Sequence, residues 1–79
     1  MSEEALTIDG YDDAVIGMAS VWQTNERVDT WVYSGKKMVD ILMKDGMSRQ
    51  DAMEYIEFNI EGAYVGPSTP IIVWESPLP

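Results

Sequence analysis

The sequence contains no cysteine and no histidine. Without cysteine the chain has no disulfide, no thiolate metal ligand and no thiol nucleophile, and such a composition suits a reducing cytoplasm. Without histidine it lacks the side chain that most often serves as general base and as metal ligand. We therefore expect a protein that is not an enzyme, with no catalytic residue, no cofactor and no metal.

Basic residues and long apolar runs are also scarce. Five Lys and Arg stand against fourteen Asp and Glu, which gives a net charge of −9. A negative field repels nucleic acid and anionic membranes, so we expect direct contact with neither. It favours a basic protein partner, although an acidic composition also serves solubility alone. No apolar run approaches the roughly 20 residues that cross a bilayer, and the acidic N-terminal residues are unlike a secretory signal.

The residues that are present suffice for one small core. We interpret the 79 residues as a single domain, 1–79, in which 1–9 and 76–79 are loose tails. Hydrophobic residues make up 46% of the chain, which argues against disorder. Of the three tryptophans, Trp31 and Trp74 are interpreted as filling the core of a small sheet.

Residues 13–34 predict a β-hairpin. The segment 27–34, RVDTWVYS, alternates in the way that half-buried strands do. The segment 13–22, DAVIGMASVW, is less clear, because a preceding aspartate could also cap a helix there. Its β-branched residues and the central Gly17 favour a strand over a helix. Residues 23–26 between the two segments have the composition of a hairpin loop.

Two helices are predicted next. The side chain of Ser34 is suited to cap a helix that runs to about Lys44, and Gly46 suits the left-handed residue that ends it. Ser48, with an acid three residues later, opens a second helix. The spacing of this helix predicts a buried stripe. The members of the stripe are Ala52, Tyr55, Ile56, Asn59, Ile60 and Ala63.

A final strand follows within residues 69–76, TPIIVWES. The order is then β-β-α-α-β, and we predict an α+β fold: a two-layer sandwich of a β-hairpin, a helical hairpin and a last strand. A chain with so small a core is expected to leave part of one sheet face uncovered. We therefore predict a homodimer in which Trp31, Tyr33 and Trp74 lie on the shared sheet face or edge.

Glu54, Glu57 and Glu61 form the most coherent surface feature. With Gln50 they are spaced four, three and four residues apart, which places them on one face of the second helix. Neighbouring carboxylates repel one another by about a few tenths of a kcal/mol per pair. We predict that this row binds a basic partner, and the alternative of an ordinary solvated face stays open.

The segment 57–70, EFNIEGAYVGPSTP, is the other candidate site. Its glycines and prolines are explained by the turn from a helix to a strand. If a ligand such as a nucleotide signal binds here, its contacts are expected at Asn59, Tyr64, Ser68 and Thr69. Asn59 is expected on the inner face of the helix, bonded to the loop that follows. A phosphate loop precedes a helix, whereas this segment follows one.

The stretches DGYDDAVIGM, ILMKDGMSRQDAMEYIEFNIEGAYVG and TPIIV together resemble a group of small uncharacterised proteins of tailed bacteriophages. The resemblance covers roughly residues 9–73 and is most specific at EFN…GAYVG…TP. Pro67 departs from the pattern, which has an acidic residue there. The resemblance implies no activity and no functional residue. It implies a phage accessory protein in the cytoplasm of an infected bacterium.

Three functional hypotheses follow. The first is a non-enzymatic protein that binds a host or phage protein, one that is itself basic or binds nucleic acid. The second is a protein that binds or sequesters a small ligand such as a nucleotide signal. The third is a structural component of the phage.

Overall fold

The computed structural model describes residues 5–23, 25–61 and 68–75. They form an α+β fold with a three-stranded sheet and two helices, in the predicted order β-β-α-α-β. The elements are β1 Val15–Gln23, β2 Glu26–Ser34, α1 Gly35–Lys44, α2 Arg49–Ile56 and β3 Ile71–Val73. A 3-10 turn, Asp12–Ala14, precedes β1, and a π-helical segment, Glu57–Glu61, follows α2.

β1 and β2 form the predicted antiparallel hairpin. The strands pair from Val15 opposite Tyr33 to Gln23 opposite Glu26. Asn25 in the connecting turn has a φ of 69°, in the left-handed region that asparagine tolerates better than most residues. The sequence allows either a helix or a strand at residues 13–22. The structure shows a strand over most of this segment.

β3 lies beside β2 and runs parallel to it. Val32 is opposite Ile71, and Ser34 is opposite Val73. The chain crosses from β2 to β3 through both helices, which is the kind of connection that parallel neighbours require. β2 is thus the central strand, and β1 and β3 are the two edges.

The core lies between the sheet, the two helices and the turn before β1. Its buried apolar side chains are Tyr11, Ala14, Tyr33, Met38, Val39, Ala52 and Ile56. Trp31 and Trp74 are half-buried and pack against this cluster, as interpreted from the sequence. Tyr33 is fully buried, and its hydroxyl accepts a hydrogen bond from the Ile8 backbone N–H at 2.9 Å. The prediction that Tyr33 lies in a dimer interface is therefore wrong, because its side chain is already buried within one chain.

Both helices begin where capping chemistry predicts. The Ser34 hydroxyl accepts a hydrogen bond from the backbone N–H of Lys37, and the Ser48 hydroxyl accepts one from Asp51. Each bond satisfies one of the N–H groups that have no partner within the helix. Gly46, with a φ of 105°, follows α1 in the left-handed region, as predicted.

The buried stripe of α2 is narrower than predicted. Ala52 and Ile56 are buried and Ile60 is half-buried, but Tyr55 is 43% exposed and Asn59 is exposed. The α-helix ends at Ile56, and a π-helix has more residues per turn than an α-helix. The sequence prediction assumes that the α-helical spacing continues beyond Ile56. It therefore places Asn59 on the buried face, whereas its side chain is exposed.

Candidate functional site

The structure places the first members of the predicted acidic row on the surface. Glu54 and Glu57 are exposed, and so is Gln50 one turn earlier. Glu61 ends the π-helical segment, and its side chain lies outside the described residues. The Glu57 side chain also lines a cleft.

This cleft, here called the charged cleft, opens between α1, α2 and the residues that follow β3. Its volume is about 390 Å³. Its charged lining side chains are Lys36, Asp40, Arg49, Glu57 and Glu75, and its apolar ones are Val39, Met53 and Trp74. Val39 is buried and Met53 and Trp74 are half-buried, whereas all five charged residues are exposed. The cleft therefore has an apolar floor with an aromatic wall and a charged rim.

Two contacts form one wall of the cleft. They join the residues that follow β3 to the junction between β2 and α1. The Ser34 hydroxyl donates a hydrogen bond of 2.5 Å to the Glu75 carboxylate. Next to this bond, the Trp74 indole lies against Gly35, the first residue of α1. A Cβ atom at Gly35 would stand 2.5 Å from the ring. Only glycine permits so close an approach. The residues at the end of β2 thus hold Trp74 and Glu75 beside α1.

The rim of the charged cleft combines three carboxylates with two cations. Lys36 and Arg49 are two of the five basic residues in the whole chain. A lysine or arginine side chain from another protein matches this lining, because its alkyl stem can pack on Met53 and Trp74. Its charged head then lies near an indole ring and near carboxylates, both of which attract cations.

Sequence reasoning missed most of the charged cleft. It selected Glu57 from the spacing on α2, but it did not select Lys36, Asp40, Arg49 or the pair that follows β3. Lys36, Asp40 and Arg49 come together through the packing of α1 against α2. Trp74 and Glu75 join them because β3 runs parallel to β2, and no local pattern indicates that pairing. The one signal in the sequence is Gly35 directly after the cap, a position where a helix does not need glycine.

The predicted ligand segment forms part of a second cleft. Its volume is about 460 Å³. Asn59 and Thr69 line it together with Leu6, Thr7, Ile8, Asp9, Ile60 and Pro70. Ser68 is buried and is not in the lining, and Tyr64 lies outside the described residues. The structure thus brings together two of the four residues that the sequence indicates.

Asn59 already has a structural role. Its side-chain amide donates a hydrogen bond to the backbone carbonyl of Tyr55 at 3.1 Å. That carbonyl lies next to the residue at which the α-helix gives way to the π-helical segment, and an asparagine side chain can serve as donor to a backbone carbonyl four residues earlier. The predicted bond from Asn59 to the loop that follows involves residues 62–67, which lie outside the described residues.

Two further features of the described residues bear on other kinds of site. Within residues 5–23, 25–61 and 68–75, no group of three or more acidic side chains is placed to hold a metal ion. Across the same ranges, no helix is both long and apolar enough to cross a membrane. Comparison with known proteins gives no match to a family model, a curated protein or a solved structure.

Proposed function

We propose that this protein acts by non-enzymatic binding to a positively charged segment of another protein. The observation that carries the proposal is that Glu57 belongs both to the exposed acidic row on α2 and to the charged cleft. A basic side chain in the cleft and its basic neighbours along the row would then contact one continuous surface. The net charge of −9 steers such a partner towards the protein.

The phage resemblance supplies the setting for this proposal. A small acidic accessory protein in the cytoplasm of an infected bacterium would meet many basic, nucleic-acid-binding proteins of the host and of the phage. Affinity capture from infected cells, followed by elution with increasing salt, tests this setting. A basic protein that elutes as the salt rises supports it, because screening weakens contacts between exposed charges.

The small-ligand alternative is favoured by one observation, namely that Asn59 and Thr69 share the second cleft. The lining of that cleft is largely aliphatic, and the Asn59 amide is engaged with Tyr55. A nucleotide needs several convergent polar groups in its pocket. The charged cleft is therefore the better supported site.

The proposal can be tested with a short arginine-containing peptide and a control peptide in which citrulline replaces arginine. Citrulline keeps the shape of arginine and removes its charge. We expect the arginine peptide to shift the NMR signals of Trp74 and Met53, and the citrulline peptide to shift them far less. The binding should weaken as salt rises.

Asp40→Asn combined with Glu57→Gln is the informative variant. Each lost carboxylate removes up to about 1 kcal/mol of attraction at an exposed site, so the pair should weaken binding about ten-fold. Glu75 is left unchanged, because its carboxylate bonds Ser34. The matched control, Asp12→Asn with Glu26→Gln, removes two charges outside the cleft and should have little effect. Equal weakening by both double variants, or equal binding of both peptides, would contradict the proposal.

A further inference from the structure

The outer edge of β1 is the longest unprotected edge that the described strands present. β1 has nine residues, and among the described elements only β2 pairs with it. Natural proteins protect such edges with charges, proline or very short strands. β1 contains no charged residue and no proline, and its only irregularity is a bulge near its start, between Val15 and Gly17. β3, by contrast, has three residues.

The side chains of β1 add apolar surface to this edge. Ile16 is 46% exposed, Met18 is 47% exposed and Trp22 is 68% exposed. Trp22 has the Arg27 guanidinium 5.4 Å from its ring centre, on the neighbouring strand. Exposed apolar residues concentrated on one strand indicate an interaction surface rather than ordinary solvent exposure.

The hairpin geometry determines which backbone groups face outward. Gln23 and Glu26 are paired across a two-residue loop, and the pair that closes such a loop exchanges its hydrogen bonds. The bonding alternates along an antiparallel pair. The N–H and C=O groups of Met18, Ser20 and Trp22 therefore point away from β2, towards the free edge.

We propose that β1 pairs with β1 of a second copy of this chain, antiparallel and centred on Ser20. Ser20 then lies opposite Ser20 of the second copy, and Met18 lies opposite its Trp22. This register joins the outward backbone groups and forms a contact between a thioether and an indole, which is favourable. The two three-stranded sheets become one continuous six-stranded sheet.

The charge distribution selects a second copy as the occupant. Two chains that each carry −9 repel each other, so a contact between them is favoured on a strand that has no charged residue of its own, as β1 has none. The Asp29 carboxylate on the neighbouring strand already accepts a hydrogen bond of 2.6 Å from the Ser20 hydroxyl. In addition, the proposed register places the exposed Met18 of each copy opposite the exposed Trp22 of the other, and a two-fold interface requires a surface that is complementary to itself.

Ser20→Lys tests the proposed edge. In its own chain, the substitution removes the Ser20 hydroxyl that bonds the Asp29 carboxylate, and a Lys opposite Asp29 replaces that bond with a cross-strand ion pair. In the dimer, two Lys side chains would face each other across the two-fold axis. The matched control is Gln50→Lys, which changes the net charge equally on the exposed face of α2.

We expect sedimentation to give the wild type and Gln50→Lys twice the 8.9 kDa mass of one chain at about 100 μM. Ser20→Lys should raise the dissociation constant of the dimer at least ten-fold. Added salt should strengthen the dimer, because it screens repulsion between acidic chains. A wild type that sediments as 8.9 kDa, or equal dissociation of the two variants, would overturn the proposal.

The register has a second test, since the chain has no cysteine. In Ser20→Cys the two thiols would lie on residues about 5.5 Å apart between Cα atoms, within the range of a disulfide. Mild oxidation should link this variant at least ten times faster than Gln50→Cys. Equal rates for the two variants would exclude a two-fold axis at Ser20.

Discussion

Tyr11 connects three segments that are distant in the sequence. It precedes β1, it is buried, and it lies near Asp45 after α1 and near Tyr55 on α2. Burial raises the pKa of Tyr11 above 10.0, and the electrostatic influence of the neighbouring Tyr55 and Asp45 raises this pKa further. The fold therefore favours the neutral phenol.

This shift predicts a loss of stability at alkaline pH. Well below pH 10.0 the phenol is protonated in both states, so it contributes no pH dependence there. Above it the unfolded chain releases the proton first, and the free energy of unfolding falls until the folded pKa is reached. Urea unfolding between about pH 8 and pH 11 should show a shallower fall for Tyr11→Phe than for the wild type. Equal slopes would mean that this phenol ionises alike in both states.

Gly35 is the other residue with a clear individual role. A methyl group there would lie 2.5–2.7 Å from the Trp74 indole. We expect Gly35→Ala to lower the free energy of unfolding by about 1–3 kcal/mol, because overpacking outweighs the gain in helix propensity. Gly17→Ala is the control, since nothing lies within 4 Å of its Cβ position. Urea unfolding of both variants gives the comparison, and an unchanged stability of Gly35→Ala would show that the indole moves aside at no cost.

At the scale of elements, the two serine side chains that cap the helices differ in the number of hydrogen bonds that they make. The Ser48 hydroxyl is exposed and bonds only the N–H of Asp51. The Ser34 hydroxyl is buried, accepts from Lys37 and donates to Glu75, 41 residues away in the sequence. The first cap therefore also ties the end of β3 to the start of α1.

This difference predicts unequal effects of removing the two hydroxyl groups. Ser48→Ala should cost about 1 kcal/mol of unfolding free energy, the usual value for a cap. Ser34→Ala should cost about 2 kcal/mol or more, because it also leaves the Glu75 carboxylate without this donor. Thermal or urea unfolding measures both. Equal costs would indicate that the bond to Glu75 contributes nothing.

The elements that could be predicted from the sequence are those defined by local chemistry. The caps, Gly46 and the alternation in β2 depend on neighbours a few residues away, and they appear where expected. The π-helical segment could not be predicted, because residues 57–61 continue an α-helical pattern. The parallel pairing of β3 could not be predicted either, since it depends on how both helices pack. The charged cleft is built on that pairing, so the sequence indicated Glu57 but not Trp74.

At the scale of the whole molecule, the two proposed surfaces lie at opposite edges of the sheet. The charged cleft adjoins β3, and the proposed dimer contact is at β1. A dimer formed at β1 would therefore leave the charged cleft open. The two proposed contacts are expected to respond to salt in opposite directions, because one would join unlike charges and the other would join two acidic chains. A titration with salt distinguishes them without a mutation.

The parallel pairing of β3 also determines the order in which the sheet can assemble. β1 and β2 are joined by a tight turn, and such hairpins form within about 1–10 μs. Val32 and its partner Ile71 are 39 positions apart, so closing that loop costs about 2 kcal/mol more than closing the hairpin. The helices between them shorten the path only after they have formed. We therefore expect β3, which directly precedes Trp74, to join last, so that the proposed binding surface is completed only at the end of folding.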